Sequence, residues 1–355
     1  MKILIIQQKR IGDVLLSSIL CNSIKTAHPD ATVDFMCYPN CKDVLLGNPN
    51  IDSILLLPNE IRKSYLSLFK FFFEIRSKKY DILIDVYGKL ETNLITLFSG
   101  ANTKISYYKW YSSLFYNHNL PRLSKDTQTK YGQAIDNRLL LLQPLNLDHN
   151  AINPYPKLYV APKDNEDALI LFKNHNVDTN RKIVMFSLLG SEKLKTYPLE
   201  YMAEVVEHVS KNKDVTILFN YFPSQIEDAQ KIYNLCSPTT QEKIHFDLLA
   251  DNLASFIAIM NLCDVIIGND GGAVNMAKAL NKPSFTIFSP HVDKNDWATF
   301  EDGKQNVSVH LNDFKPELFN KFTDKEIKPN TLHLYTKFTP DLFKDQISVF
   351  INQHL

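Results

Sequence analysis

Cys263-Asp264-Val265-Ile266-Ile267-Gly268-Asn269-Asp270-Gly271-Gly272, followed by Ala273 to Leu280, is the stretch that decides the fold. Its apolar, β-branched run reads as a buried parallel strand, and Gly268 to Gly272 as a tight loop. Ala273 onward opens a helix, because good helix formers follow with apolar positions three and four residues apart. That order places free backbone N–H groups and a positive helix dipole at the carboxyl end of a strand. Open α/β sheets bind phosphates and other anions at such a place. Adjacent glycines let a ligand come close to the backbone. An ordinary strand-loop-helix turn with Asp270 as the helix N-cap accounts for the same residues, so the rest of the chain has to choose.

Outward from this stretch, strand-like and helix-like segments alternate. The first series runs Lys2–Ile6, Val14–Ala27, Thr32–Cys37, Lys42–Gly47, Ser53–Leu57, Tyr65–Arg76 and Ile82–Val86. A second begins at Ile183–Ser187 and continues through Leu199–Lys211, Val215–Phe219, Ser224–Leu235, Ile244–Phe246, Leu253–Leu262, Val265–Ile267, Ala273–Leu280 and Ser284–Phe288. Such alternation predicts parallel sheets covered by helices. Between the series, Leu145 to Asp167 holds several prolines and little helical periodicity, and reads as a domain junction. The expected division is a Rossmann-like domain over 1–160, a second over 161–335 and a closing helical segment over 336–355. Two doubly wound domains facing each other would leave a cleft for ligands.

The bulk composition excludes several classes. Lysine plus arginine equals aspartate plus glutamate at 39 each, so no global field favours nucleic acid. The amino terminus reaches polar residues after four apolar ones, too few for a signal peptide. No apolar run approaches the roughly 18 residues of a membrane span. Five scattered cysteines, an odd number in apolar surroundings, read as reduced core thiols of a cytosolic protein. No metal site is expected from their spacing.

Chemistry-bearing residues gather at two further strand ends. Lys2–Ile6 leads into Gln7 to Gly12 and then a helix beginning at Asp13 or just after. This loop has one glycine rather than the three of a dinucleotide fingerprint, which disfavours a dehydrogenase. Asp13 is either a helix-start residue or a general base for a hydroxyl proton. Lys9 and Arg10 beside it either hold an anionic substrate or are solvated. In the second series, Ile183–Ser187 ends at a loop carrying Gly190, Ser191, Lys193 and Lys195 before a helix primed by Pro198. Hydroxyls and an ammonium at a strand end suit a diphosphate, although a surface lysine is the commoner case.

These pieces resemble glycosyltransferase family nine, the bacterial lipopolysaccharide heptosyltransferases. The likeness rests on Lys2–Ile6 with Ile11–Leu16, His28–Phe35, Gly47–Asp52, Tyr80–Asp85, Lys195–Glu200 and Cys263–Pro290. The resemblance implies a GT-B architecture, with acceptor bound by the first domain and nucleotide-sugar donor by the second. It implies inverting, metal-independent transfer of a heptose or similar sugar, ADP-linked, to a lipopolysaccharide core or other surface glycan, with no resident cofactor. By position it makes Asp13 the catalytic base, Lys195 a ligand of the donor phosphates, and Asp270, Gly271, Gly272 and Asn275 the donor loop. Ser187 and Ser191 fall near the diphosphate. Gln225 and Glu227 compete for the donor ribose; Glu227 is the choice carried forward. Lys9, Arg10 and Lys109 would meet an anionic glycolipid acceptor.

The chain departs from the family pattern at Gly271, where serine is usual, at Asn275, where histidine is usual, and at Thr196-Tyr197, where Arg-Trp is usual. The donor pocket is therefore altered. Two rivals follow: the same fold with another nucleotide sugar and acceptor, and a nucleotide-sugar-binding protein without turnover. Arg62 to Lys79 is basic and aromatic. It reads either as a crossover helix with an apolar stripe on the sheet or as a peripheral contact with the cytoplasmic face of the inner membrane. Lys104 to Tyr116 is a second such stretch, either an acceptor grip or a structured loop.

Overall fold

A computed structural model describes residues 1–57, 61, 65–125 and 127–355. The chain forms two compact units, Met1–Tyr159 and Val160–Leu355. The first contains strands β1 (Lys2–Ile6), β2 (Thr32–Cys37), β3 (Ser53–Leu56), β4 (Ile82–Asp85), β5 (Thr103–Tyr107) and β6 (His118–Leu120). They form one wholly parallel sheet in the order β3-β2-β1-β4-β5-β6. Its helices are α1 (Ile11–Ala27), α2 (Tyr65–Ser77), α3 (Leu90–Phe98) and α4 (Gln133–Leu140).

The second unit adds α5 (Pro162–Asn174), β7 (Lys182–Ser187), α6 (Leu199–Asn212), β8 (Val215–Asn220) and α7 (Ile226–Leu235). It continues with β9 (Ile244–His245), β10 (Val265–Asn269), β11 (Ser284–Ile287) and β12 (Asn306–Val309). Its sheet is also parallel, ordered β12-β11-β10-β7-β8-β9. Read from either end, both sheets repeat the doubly wound order in which the chain runs out from the centre, returns and runs out the other way. In such sheets the ligand crevice lies where the order reverses. Here those points are the carboxyl ends of β1 and β4 in the first unit, and of β7 and β10 in the second.

The central strands are apolar along their middles, as strands covered on both faces must be, and carry polar residues only at their ends. Helix α1 is buried from Val14 to Ile24, so its polar residues need internal partners. Ser17 and Ser18 donate to the carbonyls of Asp13 and Leu15, and Asn22 accepts from Asn48 and Asn50. All five cysteines are buried and free of disulfides.

Several expectations need correction. Helix α1 starts at Ile11, two residues before Asp13, because Arg10 takes a positive φ of 71° and turns the chain early. Pro162 to Asp167 is helical rather than irregular; Pro162 holds the first helical position, where its missing N–H costs nothing. Lys42 to Gly47 is the end of a 3₁₀ turn, Pro39–Val44, and an irregular turn after it. The segment over 336–355 is part of the second unit. Its helix Lys344–His354 sends Ile347, Phe350 and Ile351 into the same core as Val265 and Phe285. The rings of Phe350 and Phe285 lie 5.6 Å apart.

That packing makes the last helix integral. Phe350→Ala should cost about 3–5 kcal/mol of stability by the usual cavity-plus-transfer cost. Urea unfolding followed by near-ultraviolet circular dichroism measures this, and a loss under about 1 kcal/mol would contradict the packing.

Candidate functional site

In the second unit the two strand ends at the reversal point are bound together by one side chain. Gly268 takes φ +136°, and a Cβ there would lie 2.3 Å from the carbonyl oxygen of Ser187, so only glycine lets β10 come this close to β7. Asn269 follows, buried, with every polar atom used. Its Oδ1 accepts from the Tyr197 N–H at 2.7 Å, and its Nδ2 donates to the Ser187 and Leu188 carbonyls at 3.1 and 2.9 Å. The loop between β7 and α6 is thus pinned at both ends to the end of β10.

The same loop is held in its middle. Ser289 Oγ donates to the Leu194 carbonyl at 2.6 Å, and the Tyr335 hydroxyl reaches that oxygen at 3.4 Å. Gly190 lies against the backbone of Lys195, where a Cβ would be 2.3 Å from its carbonyl oxygen. Lys195 therefore stands half-buried on a fixed 3₁₀ turn, Lys193–Lys195.

Asp270 is half-buried beyond Asn269. Burial pushes its carboxyl above the usual range, against the opposing pull of the Lys195 and Lys278 ammonium groups. It is not the helix N-cap. That place falls to Gly271, in extended backbone with no side-chain cap, and the helix Gly272–Ala279 begins directly after it. The leading N–H groups of this helix have no intrahelical acceptor, and its dipole adds positive potential. Space above Gly271 is open, with nothing within 4 Å of an added Cβ.

The other expected donor residues are placed unequally. Ser187 is buried, and its hydroxyl is spent on the Asn269 carbonyl at 3.1 Å. Ser191 is exposed. Asn275 is buried on the first turns of the helix, near Gly271 and Thr299. Glu227 is exposed in the first turn of α7, whereas Gln225 donates its Nε2 to the Gly190 carbonyl at 2.9 Å. A cavity of about 790 Å³ is lined by Gly190, Glu192, Thr196, Gln225 and Tyr335, and not by Glu227. Of the two competing residues, Gln225 is the one against the loop.

In the first unit, β1 ends at Gln7 and Gln8, both buried; the Gln8 amide has no hydrogen-bond partner among the described residues. Lys9 and Arg10 are exposed. Asp13 sits in the first turn of α1 and meets Arg138 of α4. The buried guanidinium donates to Asp13 Oδ1 at 2.7 Å, to the Asp13 carbonyl at 3.3 Å, to Ser17 Oγ at 3.0 Å and to the Ala134 carbonyl at 2.5 Å. Among the described residues Oδ2 takes no hydrogen bond. One carboxylate oxygen is thus locked, and the rotamer with it.

Lys109 is a staple of the neighbouring β4–α3 loop. Its Nζ donates to the Gly88 carbonyl at 2.5 Å, and Gly88 takes φ +56° beneath it. Burial, with the charges of Lys89 and Arg122, holds this ammonium below the usual lysine range. Asp85, fully buried at the end of β4, ties the same loop through the N–H groups of Tyr87 and Gly88 and the Tyr116 hydroxyl. The Arg122 guanidinium lies 3.7 Å from the centroid of the Tyr107 ring. Among the described residues no cluster of three or more His, Cys, Asp or Glu is placed to hold a metal ion.

Sequence reading missed Arg138, Asn269 and Lys278. The first lies 125 residues from its partner, and no local pattern joins them. Asn269 lies in the quoted loop, where no local pattern marks it as a clamp. Lys278 carries no local signal in its helix, yet its Nζ donates to the Thr299 carbonyl at 2.7 Å.

Two doubly wound units, the second with a cation, a helix start and open space at its reversal point, define an α/β protein of two Rossmann-like halves. The chain belongs to glycosyltransferase family 9 (heptosyltransferase), whose model matches residues 68–321. It is thus a glycosyltransferase of the GT-B fold class. It is 25% identical over 305 residues to lipopolysaccharide heptosyltransferase 1 of Campylobacter coli, covering 81% of this chain and 84% of that protein. It resembles the structure of E. coli ADP-heptose LPS heptosyltransferase II, with TM-score 0.73, 17% identity and 99% of each chain covered. A family 9 glycosyltransferase from Veillonella parvula is similar, with TM-score 0.74, 16% identity, and 95% of this chain and 97% of that one covered.

Lys278 supplies a test of the site's electrostatics. Burial lowers its pKa from 10.5 to about 8, while Glu301, Asp270 and Asp302 pull it up. Between those values the unfolded chain binds the extra proton, so this residue's contribution to stability rises with pH across that window. The stability difference between wild type and Lys278→Met, from urea midpoints at pH 7 to 10, should shift in favour of wild type as pH rises. A difference independent of pH would contradict this environment.

Proposed function

We propose that the chain is an inverting glycosyltransferase that moves a heptose or similar sugar from an ADP-linked donor to a lipopolysaccharide core or another anionic surface glycolipid. The observation that carries this reading is the fixed Lys195 turn beside Asp270 and the Gly271-led helix, at the reversal point of the second sheet. Two of the relatives support the donor and acceptor classes: one is named for ADP-heptose and LPS, and the other for lipopolysaccharide. No resident cofactor is proposed; the nucleotide sugar is a co-substrate.

In the proposed step Asp13 takes the proton of an acceptor hydroxyl through Oδ2, while Arg138 keeps the carboxylate oriented through Oδ1. The acceptor oxygen forms a bond to the anomeric carbon as the bond from that carbon to the diphosphate oxygen breaks, and the sugar inverts. The diphosphate leaves with the bonding electrons. Its growing negative charge meets Lys195 and the N–H groups that open the helix Gly272–Ala279, preorganised donors that need no rearrangement during reaction. Ser187 serves this site by fixing the strand ends rather than by touching phosphate. Gln225, already against the loop, is better placed than Glu227 to meet a ribose.

A positioned general base contributes ~10²–10⁴-fold. Asp13→Asn should therefore lower turnover by about that factor in a transfer assay with ADP-heptose, with ADP affinity unchanged. Equal turnover in both proteins would remove Asp13 from the mechanism. Absence of turnover in both, with ADP still bound, would favour a binding protein.

A further inference from the structure

Helix α2 is apolar on two sides. Phe71, Phe72 and Ile75 are buried in the core of the first unit, as a crossover helix requires. Leu66, Phe69 and Phe73 recur at intervals of three and four on the other side, and they are 76, 51 and 70% exposed. Packing among the described residues explains the first stripe and not the second. Arg62, Lys63 and Ser64, which begin the basic aromatic segment of the sequence, lie outside the described residues.

The apolar surface continues past α2. The Phe98 ring, at the end of α3, stacks on Phe72 at 5.0 Å and meets Phe69 edge-on at 6.5 Å. Along α3, Leu90 and Leu97 share a face two turns apart and are 69 and 44% exposed. The 3₁₀ turn Ser113–Phe115, which packs beside α3, presents Leu114 at 97% exposure, and nearby Trp110 is at 81%. Soluble surfaces seldom leave so many large apolar side chains together without a partner.

Cations accompany this surface. Lys70 is exposed between Phe69 and Phe73, Arg76 lies beside Gly100 just past α3, and exposed Lys89 precedes Leu90. From residue 65 to 116 there are seven Lys and Arg against four Asp and Glu, in a chain whose totals are equal. One of the four acids, Asp85, is fully buried. We infer that the outer faces of α2 and α3, with the Trp110–Leu114 turn, dock the first unit onto an anionic lipid bilayer. Leu and Phe side chains enter the boundary of the acyl region, tryptophan sits at the level of the headgroups, and the cations meet lipid phosphates. A second copy is a poorer occupant, because a two-fold contact through this face would bring two sets of Lys70, Arg76 and Lys89 into one interface, like charge with like. The inference goes beyond the proposed reaction and holds for any sugar transferred.

The test is flotation of the full chain with vesicles of phosphatidylethanolamine and phosphatidylglycerol, beside vesicles of phosphatidylcholine alone. Wild type should float with the anionic vesicles and hardly with the neutral ones. The triple substitution Leu66→Ser, Phe73→Ser and Trp110→Ser, and separately Lys70→Glu with Lys89→Glu, should each cut that partition by roughly tenfold or more. Both variants should keep the unfolding temperature of wild type, since none of these side chains is in the core. Wild type remaining in the soluble fraction, or variants floating as well as wild type, would overturn the proposal. So would a dimer in sedimentation that the triple substitution dissociates. Flotation reads no turnover, so its failure is distinct from failure of the transferase reading.

Discussion

The three hydrogen bonds of the Asn269 side chain are the constraint on which the second unit's site depends. They connect the end of one central strand to the end of the next and to the start of α6. A buried amide with all its polar atoms matched is rigid, because any displacement leaves a donor or acceptor unpaired at a cost of about 1–3 kcal/mol. Gly268 makes the clamp reachable by letting the strands approach, and Gly190 lets the loop fold back on Lys195. The outcome is a lysine and a helix start held in fixed positions by the chain's own hydrogen bonds. Electrostatic stabilisation of a leaving diphosphate needs that kind of preorganisation.

The first unit solves a related problem with an ion pair. Arg138 is buried on α4, and its guanidinium spans α1 and α4 through Ser17, Ala134 and Asp13. A planar fork with several fixed donors can hold a carboxylate in one orientation in a way that a lysine cannot. Asp13 is thereby both tethered and, at Oδ2, available. The adjoining β4–α3 loop is stapled just as firmly by Asp85 and Lys109, so the second strand end at this reversal point is also rigid.

Much of the fold was legible because parallel strands buried on both faces and their crossover helices leave long, distinct patterns. The strand-loop-helix at Val265 to Ala279 and the strand at Lys2–Ile6 are found where the residues place them. β5 and the edge strands β6 and β12 are not legible in the sequence, since runs of three to five residues carry little periodicity. Asp13 and Lys195 were legible as candidates from local context. What holds them was not, because Arg138, which pairs with Asp13, and Tyr335, which reaches the Leu194 carbonyl next to Lys195, arrive from far along the chain. Lys109 looked like an acceptor contact because a lysine beside tryptophan resembles a grip; its ammonium is instead bonded to loop carbonyls. The choice between Gln225 and Glu227 needed the loop geometry, which places the former against Gly190.

The central claim is that the reversal point of the second sheet holds a nucleoside diphosphate through Lys195 and the adjoining helix start. Calorimetric titration of ADP, with UDP and GDP alongside, into wild type and Lys195→Met tests it most directly. The account predicts one ADP bound per chain, and affinity reduced by about tenfold or more when the charge-assisted contact is lost. Equal affinity of the two proteins for ADP, or no binding of any of the three nucleotides to wild type, would contradict it.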